Sequence, residues 1–282
     1  MRRLAVARSI AALAACLTIA ASAAAQPAIR RSPAGLAYEV KGSGEPVVFV
    51  HGFTLDRHMW APQLEAFAGR YRLVAYDLRG HGDSAGAERP FTGYGDLFDL
   101  LDSLAIERAT LVGLSAGSEL AINFAIAHPQ RVTRLVLASP GLGGYRGSAL
   151  PWMQPVIEAV TAGQPEEASR RWLKTPLMRL VTGVDAQPQV NQMVMRNAGL
   201  WLSKRVEQPL TPAAIGRLSE IRAPVLVVLG EEDQPHIRDI ANVIVTGVAG
   251  AKLATIPGAA HLVNLDAPRM FNEVVGRFLA AR

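Results

Sequence analysis

The residues that could do chemistry lie far apart along the chain. Ser115 stands in Gly113-Leu114-Ser115-Ala116-Gly117, after the apolar run Ala109-Thr110-Leu111-Val112 and before a stretch, 118–128, that reads as helix. A serine between a strand and a helix, flanked at two residues on each side by glycine, predicts a sharp turn that lifts its hydroxyl clear of the sheet. Bulk at the glycine positions would collide with neighbouring backbone, and the helix that follows aims its first N–H groups at the same spot. A serine hydroxyl is a poor nucleophile at neutral pH and needs a base, for which histidine, with an ordinary pKa near 6.5, is suited. That base needs a carboxylate to hold its tautomer and stabilise the imidazolium. Two later segments supply such groups. The β-branched run Pro224-Val225-Leu226-Val227-Val228-Leu229-Gly230 ends in Glu231-Glu232-Asp233, as a buried strand delivering a carboxylate at its end would. Farther on, Leu253-Ala254-Thr255-Ile256-Pro257-Gly258 leads to Ala259-Ala260-His261.

Five motifs follow one another in order: His51-Gly52-Phe53 after the run Val47-Val48-Phe49-Val50; Asp77-Leu78-Arg79-Gly80-His81-Gly82-Asp83-Ser84; the turn around Ser115; Gly230-Glu231-Glu232-Asp233; and Pro257-Gly258-Ala259-Ala260-His261. In these the chain resembles the α/β-hydrolases, in particular the esterase, lactonase and C–C hydrolase group, from about Gly35 to the C-terminus apart from a middle segment. The resemblance implies a nucleophile, acid, base order of Ser115, Asp233 and His261. It puts the acid at Asp233 rather than at the adjacent Glu231 or Glu232, Glu232 being the stronger rival. It also implies two backbone donors for a developing oxyanion, the N–H groups of Ala116 and Phe53. The Phe53 side chain either lines the pocket or packs. Ser118 stands where relatives commonly carry glycine, a place where its hydroxyl can bond locally. Ser115 itself separates the chain from the haloalkane dehalogenases and epoxide hydrolases, which use aspartate at this turn.

The elements that must position these residues alternate. Residues 36–41 read as an edge strand, 47–50 and 73–76 as short apolar strands, and 111–114, 135–138 and 225–229 as further strands. Helical spacing runs through 59–67 and 96–104, and 268–280 reads as a closing helix. Such alternation predicts an α/β fold with a mostly parallel, doubly wound sheet. Residues 141–211 break the pattern with Trp152, Met153, Trp172, Met178, Met193, Met195 and Trp201 among scattered prolines. By resemblance this is a helical cap inserted after the sixth strand. The expected layout is a segment 1–25 outside the core, a core domain over 26–145 and 212–282, and a cap over 146–211. Most of the cap's aromatic and Met side chains are expected to pack it onto the core. Trp152 and Met153 are candidates to line an apolar substrate pocket.

Residues 1–25 carry Arg2, Arg3 and Arg8, then an apolar stretch too short to span a bilayer comfortably, then Ala23-Ala24-Ala25 before Gln26-Pro27. This is the layout of a secretory signal peptide cleaved near Ala25, and it predicts a periplasmic or secreted protein with no membrane span. The competing reading is a lipoprotein anchored at Cys16, against which the apolar run continues past that residue to the better cleavage site. Cys16 is the single cysteine, so the cleaved chain would have no disulfide and no thiolate nucleophile. The net charge of +5 falls to +2 once the three arginines are removed, which is no footprint for nucleic acid. No His-x-x-His or His-Glu-x-x-His spacing occurs among the six histidines, so neither a metal nor another cofactor is expected. His51 is read as ordering the loop that carries Phe53, His81 as stabilising its own loop, and His58, His128 and His236 as surface or packing residues. Asp77 and Asp83 are read as holding their loop through backbone N–H groups.

The reading that follows is an exported serine hydrolase acting on a small-molecule carboxylic ester or lactone through an acyl-enzyme. One alternative is cleavage of a C–C bond or another acyl transfer on the same residues. A second, of another class, is a catalytically silent hydrolase fold serving as a binding protein.

Overall fold

The computed structural model describes residues 29–203 and 206–281; the segment read as a signal peptide, with Cys16, lies outside the described residues. Eight strands form one sheet: β1 (Arg30–Arg31), β2 (Ala37–Lys41), β3 (Glu45–Val50), β4 (Tyr71–Tyr76), β5 (Ala109–Leu114), β6 (Val132–Ala138), β7 (Val225–Gly230) and β8 (Lys252–Ile256). Their order across the sheet is β1-β2-β4-β3-β5-β6-β7-β8. Strands β3 to β8 pair in parallel, and β1 and β2 pair antiparallel. Residues 36–41, expected at the edge, are flanked instead by the two-residue β1, which pairs Arg30 with Tyr38. So short a strand has no periodicity to read.

The central strands β5 and β7 are buried along their whole length. Both faces are covered by helices, and this is why these strands read as unbroken apolar runs rather than as alternating ones. The layers are α1 (Ala61–Phe67), α2 (Gly93–Ser103), α3 (Ala116–Ala127), and, later in the chain, α7 (Pro235–Gly247), α8 (Val263–Asp266) and α9 (Pro268–Ala280). Helix α2 starts where the Thr92 side chain accepts from the Gly95 N–H at 3.1 Å, and it buries Leu97, Leu100 and Leu101. Helix α9 opens on a proline and buries Phe271, Val275 and Leu279, one residue per turn. The helical spacing over 59–67 resolves into a 3₁₀ turn, Arg57–Trp60, that runs into α1.

Between β6 and β7 the chain leaves the sheet for α4 (Gln154–Thr161), α5 (Pro165–Trp172), α6 (Gln187–Arg196) and the 3₁₀ turns Pro151–Met153 and Ala198–Leu202. These form the helical cap. Among the described residues no helix is long and apolar enough to cross a membrane.

The winding direction reverses between β3 and β5, which are neighbours although β4 intervenes in sequence. At such a point the loops leaving the two strands diverge and open a crevice at the carboxyl edge of the sheet. His51 to Thr54 follow β3 there, and Ser115 follows β5.

Candidate active site

The turn at Ser115 is built as its glycines require. A Cβ at Gly117 would lie 2.2 Å from the Val50 carbonyl oxygen, and one at Gly113 would lie 2.4 Å from that of Gly117. Only glycine lets β5, α3 and the end of β3 approach so closely. Ser115 has φ 54° and ψ −115°, a conformation that L-residues rarely adopt. Its N–H donates to Ala138 O at 3.0 Å, and its carbonyl accepts from the N–H groups of Ser118, Glu119 and Gly141. Ser118 is fully buried, and its hydroxyl donates to Gly113 O at 2.7 Å and lies 3.2 Å from Ala138 O. It ties the first turn of α3 to both β5 and β6, a role glycine could not fill.

Asp233 and His261 meet across the ends of β7 and β8. The imidazole Nδ1–H donates to the carboxylate, with Nδ1 3.1 Å from Oδ1 and 3.2 Å from Oδ2. Both residues are buried. Burial by itself would push the Asp233 carboxyl up. His261 and the Gln234 N–H, which donates to Oδ1 at 2.7 Å, outweigh it and hold the group below its ordinary value. Because a carboxylate only accepts, this pairing places the proton on Nδ1 and leaves Nε2 as the free ring nitrogen. The rival acids are elsewhere: Glu231 and Glu232 are exposed, and Glu231 accepts from the Gly258 N–H at 3.0 Å. The Ser115 hydroxyl and His261 are not hydrogen-bonded to each other here.

The two expected oxyanion donors lie just past the ends of β5 and β3. Ala116 is the first residue of α3, and Phe53 is the second residue of a turn closed by Leu55 N–H to Gly52 O at 3.2 Å. Among the described residues neither N–H finds a hydrogen-bond partner inside the protein. His51 is fully buried behind this loop, with Nδ1 2.8 Å from Gly52 O and Nε2 accepting from the Leu78 N–H at 2.9 Å. Burial depresses its pKa to about 4, so the ring is neutral and bridges the loops after β3 and β4. The His81 ring lies against it, tilted by 58° with the centroids 5.0 Å apart, and is depressed to about 3, again chiefly by burial.

Asp77 accepts from the N–H groups of Arg57 and Asp83, both at 2.8 Å or less, and so holds its loop as expected. The Asp83 carboxylate does not. It pairs with Arg57 and with Arg196 at the end of α6, so it joins the core loop to the cap. His58 bonds Asp56, and His128 packs against Phe98 and Phe124.

The structure brings Phe53 and Trp152 to one aromatic cluster. The Phe53 ring is 5.1 Å from Trp201 and 6.4 Å from Trp172, and Trp152 is 6.3 Å from Trp172. Met153 shares the turn of Trp152 and is half-buried against the core. Trp172 and Trp201 were legible only as members of an aromatic-rich stretch. Asn197, which bonds the loop carrying Phe53, gave no signal at all. A cavity of about 40 Å³ lined by Tyr76, Arg79, His81, Asp96 and Glu207, among others, lies to one side; neither Ser115 nor His261 lines it.

A model of the alpha/beta hydrolase family matches residues 47–274, and the chain belongs to that family. It is 30% identical over 263 residues to a 2-hydroxy-6-oxononadienedioate/2-hydroxy-6-oxononatrienedioate hydrolase of Paraburkholderia xenovorans, covering 87% of this chain and 90% of that one. It is 26% identical over 252 residues to a carboxylesterase of Bacillus subtilis, covering 83% and 79%. Among solved structures it is similar to a thermophilic esterase from Thermogutta terrifontis, with a TM-score of 0.72, 25% identity, and 86% and 92% of the two chains covered.

Proposed function

We propose that this protein is an exported serine hydrolase of carboxylic esters or lactones. The observation that carries the reading is a serine held at φ 54° on the strand–helix turn at the sheet's crevice, on the same edge as a buried His261–Asp233 pair. In the proposed reaction His261 Nε2 takes the Ser115 hydroxyl proton as Oγ adds to the substrate carbonyl. The carbonyl oxygen becomes an oxyanion and accepts from the Phe53 and Ala116 N–H groups. The intermediate collapses, the bond to the leaving oxygen breaks, and His261 returns the proton to that oxygen. Water then gives a proton to Nε2 and adds to the acyl carbon; in the second collapse the bond from the acyl carbon to Ser115 Oγ breaks, Nε2 returns its proton to Oγ, and the carboxylic acid leaves. Asp233 holds the imidazole tautomer and stabilises its cationic form.

Phe53, Trp152 and Met153 are proposed to border the acyl or leaving group. Export rests on the composition of residues 1–25, and mass spectrometry of secreted or periplasmic material beginning at Gln26 tests it. The reading of function is tested by a fluorophosphonate probe and a panel of short p-nitrophenyl esters and lactones. The expected result is labelling at Ser115 and turnover that Ser115→Ala abolishes. A folded protein that neither labels at Ser115 nor turns over any ester, lactone or oxo-dienoate would overturn the reading and favour the binding role. The second reading, C–C bond hydrolysis, is favoured by the 30% identity to a hydrolase whose named substrate is an oxo-dienedioate rather than an ester. An oxo-dienoate included in the panel, cleaved in preference to every ester, would establish it instead.

A further inference from the structure

The turn that presents the Phe53 N–H is held from the cap. Its third residue is Thr54, fully buried, with φ 63°. Glycine or asparagine ordinarily occupies that place, because a β-branched residue is strained there. Such strain persists only where the surroundings over-determine the backbone. Here they do. The Asn197 side-chain amide donates to Thr54 O and to Leu55 O, each at 3.1 Å. Its carbonyl oxygen accepts from the Gly82 N–H at 2.8 Å. The Trp172 indole N–H donates to Thr54 Oγ1 at 2.9 Å, and that hydroxyl donates to Phe53 O at 2.6 Å. Asn197 and Trp172 both belong to the cap, at the ends of α6 and α5. Asn197 is buried, and every polar group of its side chain that these bonds engage is used in joining three segments of the chain.

From this geometry we infer that Asn197 is a positioning residue for the oxyanion hole, with Trp172 as its second anchor. The inference rests on the proposed function. The Gly52–Phe53 peptide is planar and trans, so its carbonyl, fixed by His51 and the Leu55 N–H, and its N–H point in opposite directions. The turn therefore sets where the Phe53 N–H aims, and the cap holds the turn in a conformation that Thr54 would otherwise leave. Without Asn197 the donor drifts from the place the oxyanion will occupy, which weakens the transition state more than the bound ester.

The experiment compares wild type, Asn197→Ala and Trp172→Phe with a p-nitrophenyl ester and a trifluoromethyl ketone, whose adduct with serine carries an oxyanion. The expected result for Asn197→Ala is a fall in kcat of about tenfold to a hundredfold, KM within about threefold, and ketone affinity weakened by the same factor as kcat. Trp172→Phe, which keeps an aromatic side chain but loses the indole N–H and its bond, shows the same pattern more weakly and stands in should Asn197→Ala not fold. In a Thr54→Gly background, where the turn is no longer strained, Asn197→Ala costs less than in the Thr54 background. Unchanged kcat, a loss carried by KM alone, or equal losses in both backgrounds would overturn the inference. Fluorophosphonate labelling of the same samples reports on Ser115 separately, so a failure of the underlying reading shows as unlabelled wild type.

Discussion

A serine forced to φ 54° returns to an ordinary conformation unless its neighbours prevent it, and here they are small residues and strand ends. The glycine two residues after it leaves no room: a Cβ at Gly117 would meet the Val50 and His51 carbonyl oxygens at 2.2 and 2.6 Å, both backbone atoms that cannot swing away. Gly117→Ala is therefore expected to cost about 2–4 kcal/mol or to prevent folding, as overpacking against fixed atoms does. Denaturant unfolding monitored by circular dichroism checks this. Asp233 makes the complementary case, a residue whose removal spares the fold. Asp233→Asn keeps the shape but can present an amide N–H to Nδ1, which favours the wrong imidazole tautomer. A loss in kcat of about ten-thousand-fold with little change in KM is expected from steady-state kinetics on an ester. These residues were legible because each sits in a short motif whose spacing has a mechanical reason. Asn197 was not, because its partners, Thr54, Leu55 and Gly82, are more than a hundred positions away and nothing around it marks a contact.

At the scale of elements, the loop that carries His261 is tied to the cap through one carboxylate. Asp266, buried at the end of α8, accepts at Oδ1 from the N–H groups of Val181, Thr182 and Gly183 at 2.7–2.9 Å, and at Oδ2 from the Ala260 N–H at 2.7 Å. Burial works against its charge, and the convergent N–H groups outweigh burial and hold the carboxyl below its ordinary value. Asp266→Asn turns an amide N–H toward at least one of these donors. A loss of about 2 kcal/mol or more is expected, seen as a thermal midpoint lower by about 5 °C, together with a lower kcat, because the Ala260 peptide leads directly into His261. Strands β2 to β7 were readable as short apolar runs and the closing helix from its period, whereas β1, β8 and α7 went unread and the cap was expected from the resemblance. The internal order of the cap was not. Its helices are short, α4 and α5 having eight residues each, and what seats them is side-chain bonding to loops far away in sequence: Trp172 to Thr54, Arg196 to Asp83, and Asp266 to residues 181–183.

At the scale of the whole molecule, stability depends on protons that the fold refuses. His51 and His81 are in contact, buried and neutral, with pKa values of about 4 and 3, while the same side chains in the unfolded chain titrate near 6.5. The charged groups facing this pair are Asp56 and Asp77, which favour protonation, and Arg57, which opposes it; burial exceeds them all. Above pH 6.5 neither state binds the extra proton, and the full stability is present. As the pH falls below 6.5 the unfolded chain takes up protons that the folded chain rejects, so stability declines until the folded pKa values are reached. For His51 alone, the interval from 6.5 to about 4 corresponds to about 3 kcal/mol. His81 adds to the decline, and the two are coupled through their contact. Asp233 and Asp266 act in the same direction at lower pH, since both carboxyls are held below their ordinary values and lose their contribution as the pH falls toward their folded pKa values. The expected outcome is an unfolding free energy that falls between pH 6 and 4, the raised carboxyls of Asp77, Glu119 and Glu207 opposing the decline in part. His51→Gln should be less stable at pH 7, where the bond to the Leu78 N–H is altered, yet show a shallower slope across that window, because one of the titrating sites is gone. Urea unfolding at half-unit pH steps separates the two effects. A slope that His51→Gln leaves unchanged would mean that His51 does not contribute to the acid sensitivity of the fold.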